Sequence, residues 1–335
     1  MRLAARGKMS EGGSDNSIVG MRDLLGAEGV AKQLLGPISR GIGRISAPFL
    51  NRLANRKQLA NFDEWDQALR ERGYDPKTVE LTLGQHTEVR VTADNIRHQA
   101  NRENVAIEAI YYIQNTSARI DPHFENEPLQ PEWVDQFWRL AENISSADMQ
   151  AFWGKVLSRK CLGLSNISAR ALHFISTLSG EEAHALEQIA ARLVTVVEPS
   201  GATISGLVGS LHHWTSKSDC PPRLIEIQKE IHALAASPHE GLFSVLGVFH
   251  QGGFVPSIHA DATLDPLEFS AADQRLRVTA KGFAAEFGRL YIGSGPYLSP
   301  LGVELAQVIG ATANQTYVDL LIEGFQVQGV TVERA

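Results

Sequence analysis

EWVDQFWRLAENISSADMQAFWGKVLSRKCLGLSNISARALHFISTL, residues 132–178, is the stretch whose reading decides the fold. Trp133, Phe137, Leu140 and Ala141 recur at helical spacing, and Met149, Trp153, Val156 and Leu157 repeat the pattern after a break at 143–145. Large aromatic side chains at these intervals predict two helices that bury one face against each other. Two further helices follow, over 167–178 and from Ser179 through Val194, each opened by a serine. Residues 145–148 read as a capping box with Asp148 in place of the preferred Glu, and Ser179 with Glu182 reads as a better one. The stretch holds no nucleophile–base pair and no glycine loop for a phosphate.

The remaining composition bounds the protein. At 335 residues the chain is long enough for two domains at about 150 residues each. Hydrophobic content of 43% with 21% charged residues is that of a globular protein. Cys161 and Cys220 are the only cysteines, which fits a reducing compartment. No signal peptide is read, and no apolar run reaches the roughly 18–20 residues that span a bilayer. The expected location is the cytoplasm, with peripheral attachment at the inner face of the membrane as an option. The net charge of −7 is uneven: residues 1–60 hold ten basic against four acidic residues, leaving 21 against 34 for the rest. An acidic body disfavours nucleic acid except through the basic amino-terminal part.

The pattern predicts a mainly α protein in four parts. Residues 1–17 are a flexible tail, and 18–60 form a basic amphipathic helical arm. Residues 61–200 form a helical domain, and 201–335 a smaller α+β, winged-helix-like domain. In the arm, Leu34, Ile38, Ile42, Phe49 and their neighbours alternate with Arg40, Arg44, Arg52, Arg56 and Lys57. Its glycines cost roughly 1 kcal/mol each in helicity, and Pro37 and Pro48 are expected to divide it into short helices. A short helix is expected over 61–72 around Trp65, no assignment is made over 79–91, and a longer helix follows from Thr92 or Asp94 to about Ala118. A linker covers 121–131. Further on, helices are expected over 223–236, 241–250, 300–309 and 317–325. Short strands are expected over 276–279, 283–287, 290–292 and 327–332.

Several of these segments resemble a known family. Gly41, Ile42, Gly43, Pro48, Arg52, Leu53, Ala54 and Asn55 follow a glycine-basic pattern, and Arg102, Asn104, Val105 and Ile110 an Arg-x-Asn-apolar helix. Trp133, Phe137, Ile144, Ser145, Met149, Gln150, Trp153 and Leu157 carry it most specifically, continued by Ser168, Arg170, Leu172, Ser179 and Glu182. Together they resemble the bacterial domain-of-unknown-function family 2806, similar in turn to the abortive-infection alpha proteins. The resemblance covers residues 35–310 and is strongest over 100–190. It implies a fold and a phage-defence context, and no catalytic residue. One departure stands out: where such families show an acidic residue and a Pro-Gly pair, residues 158–164 here read SRKCLGL. A function attached to that carboxylate would be absent.

Each candidate site has a structural alternative. Trp133, Phe137, Trp138 and Trp153 would be a ligand or peptide groove or, as their spacing favours, helix–helix core, with Trp138 the most exposed of the four. Met149 and Leu157 belong to the same core set. His212, His213, Cys220, His250 and His259 match no four-ligand spacing, so no metal and no other cofactor is expected. Residues 299–306 resemble the step that follows the wing of a winged helix, yet 221–335 hold seven basic against twelve acidic residues, which suits protein contacts better than duplex binding. Arg40, Arg44, Phe49, Arg52, Arg56 and Lys57 are the candidate membrane- or partner-binding set. The alternative is an arm packed on its own domain or on another subunit. The functional expectation is a non-enzymatic bacterial accessory protein acting through protein contacts, with a protein partner or a homo-oligomer, and an anionic membrane surface as an option for the arm. A winged-helix DNA-binding regulator is the second reading and an enzyme of unrecognised type the third.

Overall fold

The computed structural model describes residues 28–43, 45, 47–54, 67, 70–71, 82–116, 128–197, 203–211, 220–235, 239–250, 257–261, 267–279 and 289–335. The chain forms two compact units, residues 1–177 and 178–335. The expected tail, the helix over 61–72 apart from three of its residues, and the strand over 283–287 lie outside the described residues.

The first unit is helical. Among the described residues it contains α1 (Glu28–Ile42), α2 (Ala47–Ala54), α3 (Leu83–Thr116), α4 (Pro131–Ala141), α5 (Ala147–Cys161) and α6 (Ala169–Ser176). At 34 residues α3 is about 50 Å long and begins well before the expected start at 92–94. Its second half is the buried spine: Val105, Ala106, Ile107, Ala109, Ile110 and Ile113 are all fully covered. Helix α5 crosses it closely because Gly154 has no side chain; a Cβ there would sit 2.7 Å from the Ala109 amide nitrogen. A polar seam runs along this crossing. Asn104 donates to Gln150 Oε1 at 3.2 Å, Gln150 donates to Asn101 Oδ1 at 3.2 Å, and Ser158 Oγ donates toward the Ala109 carbonyl at 2.8 Å. Buried amides must be paired, so this seam fixes the register of the two helices.

Two local expectations are corrected. Helix α1 runs through Pro37 instead of breaking there. A proline removes one backbone donor, but the flanking turns are held by tertiary contacts described below. Helix α5 starts after Ser146, whose side chain makes no capping bond, so 145–148 is not a capping box. Ser168 does cap α6, accepting from Ala171 N at 3.3 Å.

The second unit is α+β. It opens with α7 (Gly180–Ala190), which carries the full capping box: Ser179 Oγ accepts from Glu182 N, and the Glu182 carboxylate accepts from Ser179 N at 2.7 Å. Those bonds hold the Glu182 carboxyl below its usual pKa. Next come β1 (Leu193–Val197), β2 (Thr203–Leu207), α8 (Pro222–Ala235), α9 (Glu240–Val245), β3 (Ser257–Asp261), β4 (Leu267–Ala271), β5 (Gln274–Thr279), β6 (Arg289–Ser294), α10 (Pro300–Ile309), α11 (Gln315–Val327) and β7 (Thr331–Arg334). Helix α7 therefore ends earlier than expected, and Leu193–Val197 is a strand. The final strand also begins after residue 327, which still belongs to α11. The domain placed over 61–200 thus spans residues of both units: α7 and β1 belong with the sheet.

Five strands form an antiparallel sheet in the order β2-β1-β4-β5-β7, and β3 pairs with β6 separately. Val194 and Val196 of β1, Phe269 of β4, Leu276 and Val278 of β5 and Val332 of β7 form one core with Leu224, Ile227 and Ile231 of α8 and Val318, Leu321 and Phe325 of α11. The two helices thus cover one face of the sheet. Tyr317, at the start of α11, is fully buried, accepts from Val208 N at 2.9 Å and donates to Val208 O at 2.9 Å. Burial holds its phenol above the ordinary pKa, so the donor is retained. Tyr317→Phe leaves both Val208 groups unpaired in the core. It is expected to cost about 2 kcal/mol, read as a lower urea midpoint with an unchanged slope.

Among the described residues no helix is long and apolar enough to cross a membrane.

Candidate interaction site

The best-defined packing geometry around the candidate residues is the seat of α1 within the first unit. Leu34, Ile38 and Ile42 lie at i, i+4 and i+8 and are all buried, so the apolar stripe of the helix faces inward. Trp138 forms the floor. Its ring lies flat under Gly41, where a Cβ would come within 2.0 Å of the indole. Its Nε1 donates to the Pro37 carbonyl at 2.8 Å. The expectation that Trp138 is the exposed member of the aromatic set is thereby corrected: it is 3% exposed. It looked off-stripe because its partner is α1 and not the neighbouring helices.

The end of α1 is captured as well as its face. The last carbonyls of a helix lack internal donors and carry the negative end of its dipole. Here Arg102 Nη1 donates to Gly41 O at 3.2 Å and Gln99 Nε2 to Ile42 O at 3.0 Å, both from α3. Arg102 also pairs with Glu142 at the end of α4. Gly43 follows in the left-handed conformation, φ +76°, which closes the helix. On the rim, Arg40 makes a two-pronged pair with Asp135, one arm at 2.6 Å. That pairing holds the Asp135 carboxyl below its ordinary pKa. Arg52 of α2 pairs with Glu103 of α3 at 3.1 Å.

Of the proposed membrane- or partner-binding set, Arg40, Phe49 and Arg52 therefore fall within this packing, and Phe49 is 1% exposed. Arg44, Arg56 and Lys57 lie outside the described residues. Asp135, Gln99, Arg102 and Glu142 complete the seat. Arg102 stands in the family pattern, but none of the four carries a local signal of these contacts, because each partner lies 40 to 95 residues away.

The aromatic cluster is core. Phe137 packs on Trp133 at 5.5 Å, on Trp138 at 5.1 Å and on Trp153 at 5.2 Å between ring centres. Trp133 Nε1 donates to Ile167 O at 3.0 Å, and Lys160 Nζ lies over its ring. Met149 and Leu157 are buried beside them. Among the described residues no group of three or more His, Cys, Asp or Glu side chains is placed to hold a metal ion. His212 and His213 lie outside the described residues, as does the side chain of His259. Cys161 is buried, which pushes its thiol up to about 12.

The second unit carries a different kind of surface. On α9 and the residue after it, Phe243 points into the core while Leu242, Val245 and Leu246, at i, i+3 and i+4, are exposed; Val245 is 76% exposed. Gly247, at φ +80°, ends this turn.

The family model described as protein of unknown function (DUF2806) matches residues 85–322, so the resemblance read from residue 35 is matched only from residue 85 on, and the glycine-basic pattern over 41–55 lies outside the match. No curated protein and no solved structure matches the chain.

Proposed function

We propose, from the premise that the chain belongs to the DUF2806 family, that it is a non-enzymatic bacterial accessory protein working through protein–protein contacts. The setting we propose is phage defence of the abortive-infection kind, on the strength of the sequence resemblance. The observation that carries the contact reading is the apolar turn of α9. Three large aliphatic side chains on one face of a short helix are costly to leave in water, and clustered exposed residues of this type mark interaction surfaces. The finer fold proposal for the second unit is winged-helix-like. It is supported by the β3–β6 ladder, which stands before α10 as a wing would.

The second reading is a winged-helix regulator that binds DNA, favoured only by that ladder and opposed by the acidic balance of residues 221–335. Attachment of the arm to an anionic membrane is a further proposal. It requires α1 and α2 to leave their seat, since Phe49 and the α1 stripe are buried there.

Purification of tagged wild type and Val245→Asp/Leu246→Asp from the native host tests the contact reading. The wild type is expected to retain a partner that the double variant loses, with both equally folded by circular dichroism. Titration with duplex DNA tests the alternative. Binding whose strength falls steeply with salt would favour the regulator, because each phosphate contact adds to the salt slope.

A further inference from the structure

We propose that α1 is a releasable ligand of the first unit, bound in cis, and that its seat is a receptor for an amphipathic helix of the same chemistry from a partner protein. This inference does not rest on the α9 surface and would survive its failure. Four features of the seat define what it accepts. Gly41 lies flat on Trp138, so only a helix with a glycine at that point approaches closely enough. The Trp138 indole donates to a carbonyl one turn earlier, Pro37 O. Arg102 and Gln99 cap the carbonyls at the end of the helix, so the accepted helix must stop there. Asp135 lies on the rim, where it meets the basic residue just before the glycine. The accepted signature is therefore apolar residues at i, i+4 and i+8, with Arg-Gly immediately before the last one and the helix end just after it.

The arm fits that signature as Leu34, Ile38, Arg40, Gly41 and Ile42. Two observations mark it as an occupant of the seat. The family match begins at residue 85, after α1 and α2, and contains Gln99, Arg102, Asp135, Trp138 and Glu142. The rim pair is also half open to water, with Arg40 at 46% and Asp135 at 51% side-chain exposure, so it selects the occupant more than it locks it in place. A tethered occupant competes at high effective concentration, so a free helix meets a closed seat until the arm is displaced.

The test uses the full chain and a fluorescent peptide of residues 28–54. Gly41→Leu in the protein places a side chain against Trp138 and should eject the arm while leaving the seat untouched. We expect the native peptide to bind this variant at least about tenfold more tightly than it binds the wild type, measured by anisotropy. A Gly41→Leu peptide should bind neither. Adding Asp135→Arg to the Gly41→Leu protein should weaken the native peptide, and an Arg40→Asp peptide should restore binding. Global unfolding of the Gly41→Leu protein by circular dichroism would overturn the proposal, since α1 would then be an inseparable part of the core. A folded variant that ignores the native peptide, or accepts both peptides equally, would overturn it too.

Discussion

Gly154→Leu is expected to lose about 3 kcal/mol or more of stability and to lower the melting temperature of the first unit by about 10 °C. The position is unforgiving because the obstacle is backbone. A Cβ at 154 would lie 2.6 Å from Glu108 Cβ, 2.7 Å from Ala109 N and 2.8 Å from Glu108 C on α3. None of these atoms can swing aside, so the helices must separate. Separation stretches the Asn101, Asn104, Gln150 and Ser158 bonds along the same seam, and each buried amide left unpaired adds its own penalty. Gly84→Leu is the matching control: nothing lies within 4 Å of a Cβ there, so replacing a helical glycine should leave the melting temperature unchanged or raise it. A Gly154→Leu protein that melts with the wild type would show that α3 and α5 do not cross this closely.

What the sequence revealed follows from how far apart the interacting residues are. Helices α4 and α5 were legible because their apolar residues repeat within a few positions, and the Ser179–Glu182 box because cap and partner are three residues apart. Trp138 was misplaced because its partner Gly41 is distant in sequence, and nothing near Trp138 announces a helix lying across it. Arg40 and Arg52 read as part of a membrane- or partner-binding set or of an arm packed on its own domain or another subunit, yet Asp135 and Glu103, with which they pair, carry no local mark of pairing. Pro37 reads as a break because proline weakens an isolated helix, whereas here Trp138 holds the Pro37 carbonyl and Arg102 and Gln99 hold the turn that follows it. The start of β1 reads as the end of α7 because an apolar run after a helix continues its pattern, although the β-branched Val194, Thr195, Val196 and Val197 are the available signal for a strand. Of the α1 seat, one side is legible as an amphipathic arm, and the face that the arm packs on becomes visible only in three dimensions.

Gly295→Ala is expected to be as damaging in the second unit, for a reason that involves the sheet edge. Residues 295–298 run beside β2 after β6 ends. Leu207 N donates to Pro296 O at 3.0 Å, Leu298 N donates to Ser205 O at 2.8 Å, and Gly206 faces Tyr297 across an antiparallel bridge. The segment then pairs with the turn after α9, where His250 N donates to Tyr297 O at 2.9 Å and Ser299 N to Val248 O at 2.9 Å. It ends at Ser299, which caps α10 by accepting from Gly302 N at 3.1 Å. It therefore covers the outer edge of β2 and delivers the chain into α10. At Gly295 a Cβ would lie 1.6 Å from the Leu207 carbonyl oxygen, far inside van der Waals contact. The cost is steric, and the backbone must move away from β2 to relieve it. That movement breaks the Leu207 and Leu298 bonds and leaves an uncovered strand edge, which invites pairing with another chain. The expected result is a loss of about 3 kcal/mol or more together with a soluble aggregate in size-exclusion chromatography. A monomeric Gly295→Ala protein that melts within about 1 °C of wild type, far less than such a loss would produce, would mean that residues 295–298 do not lie this close to β2.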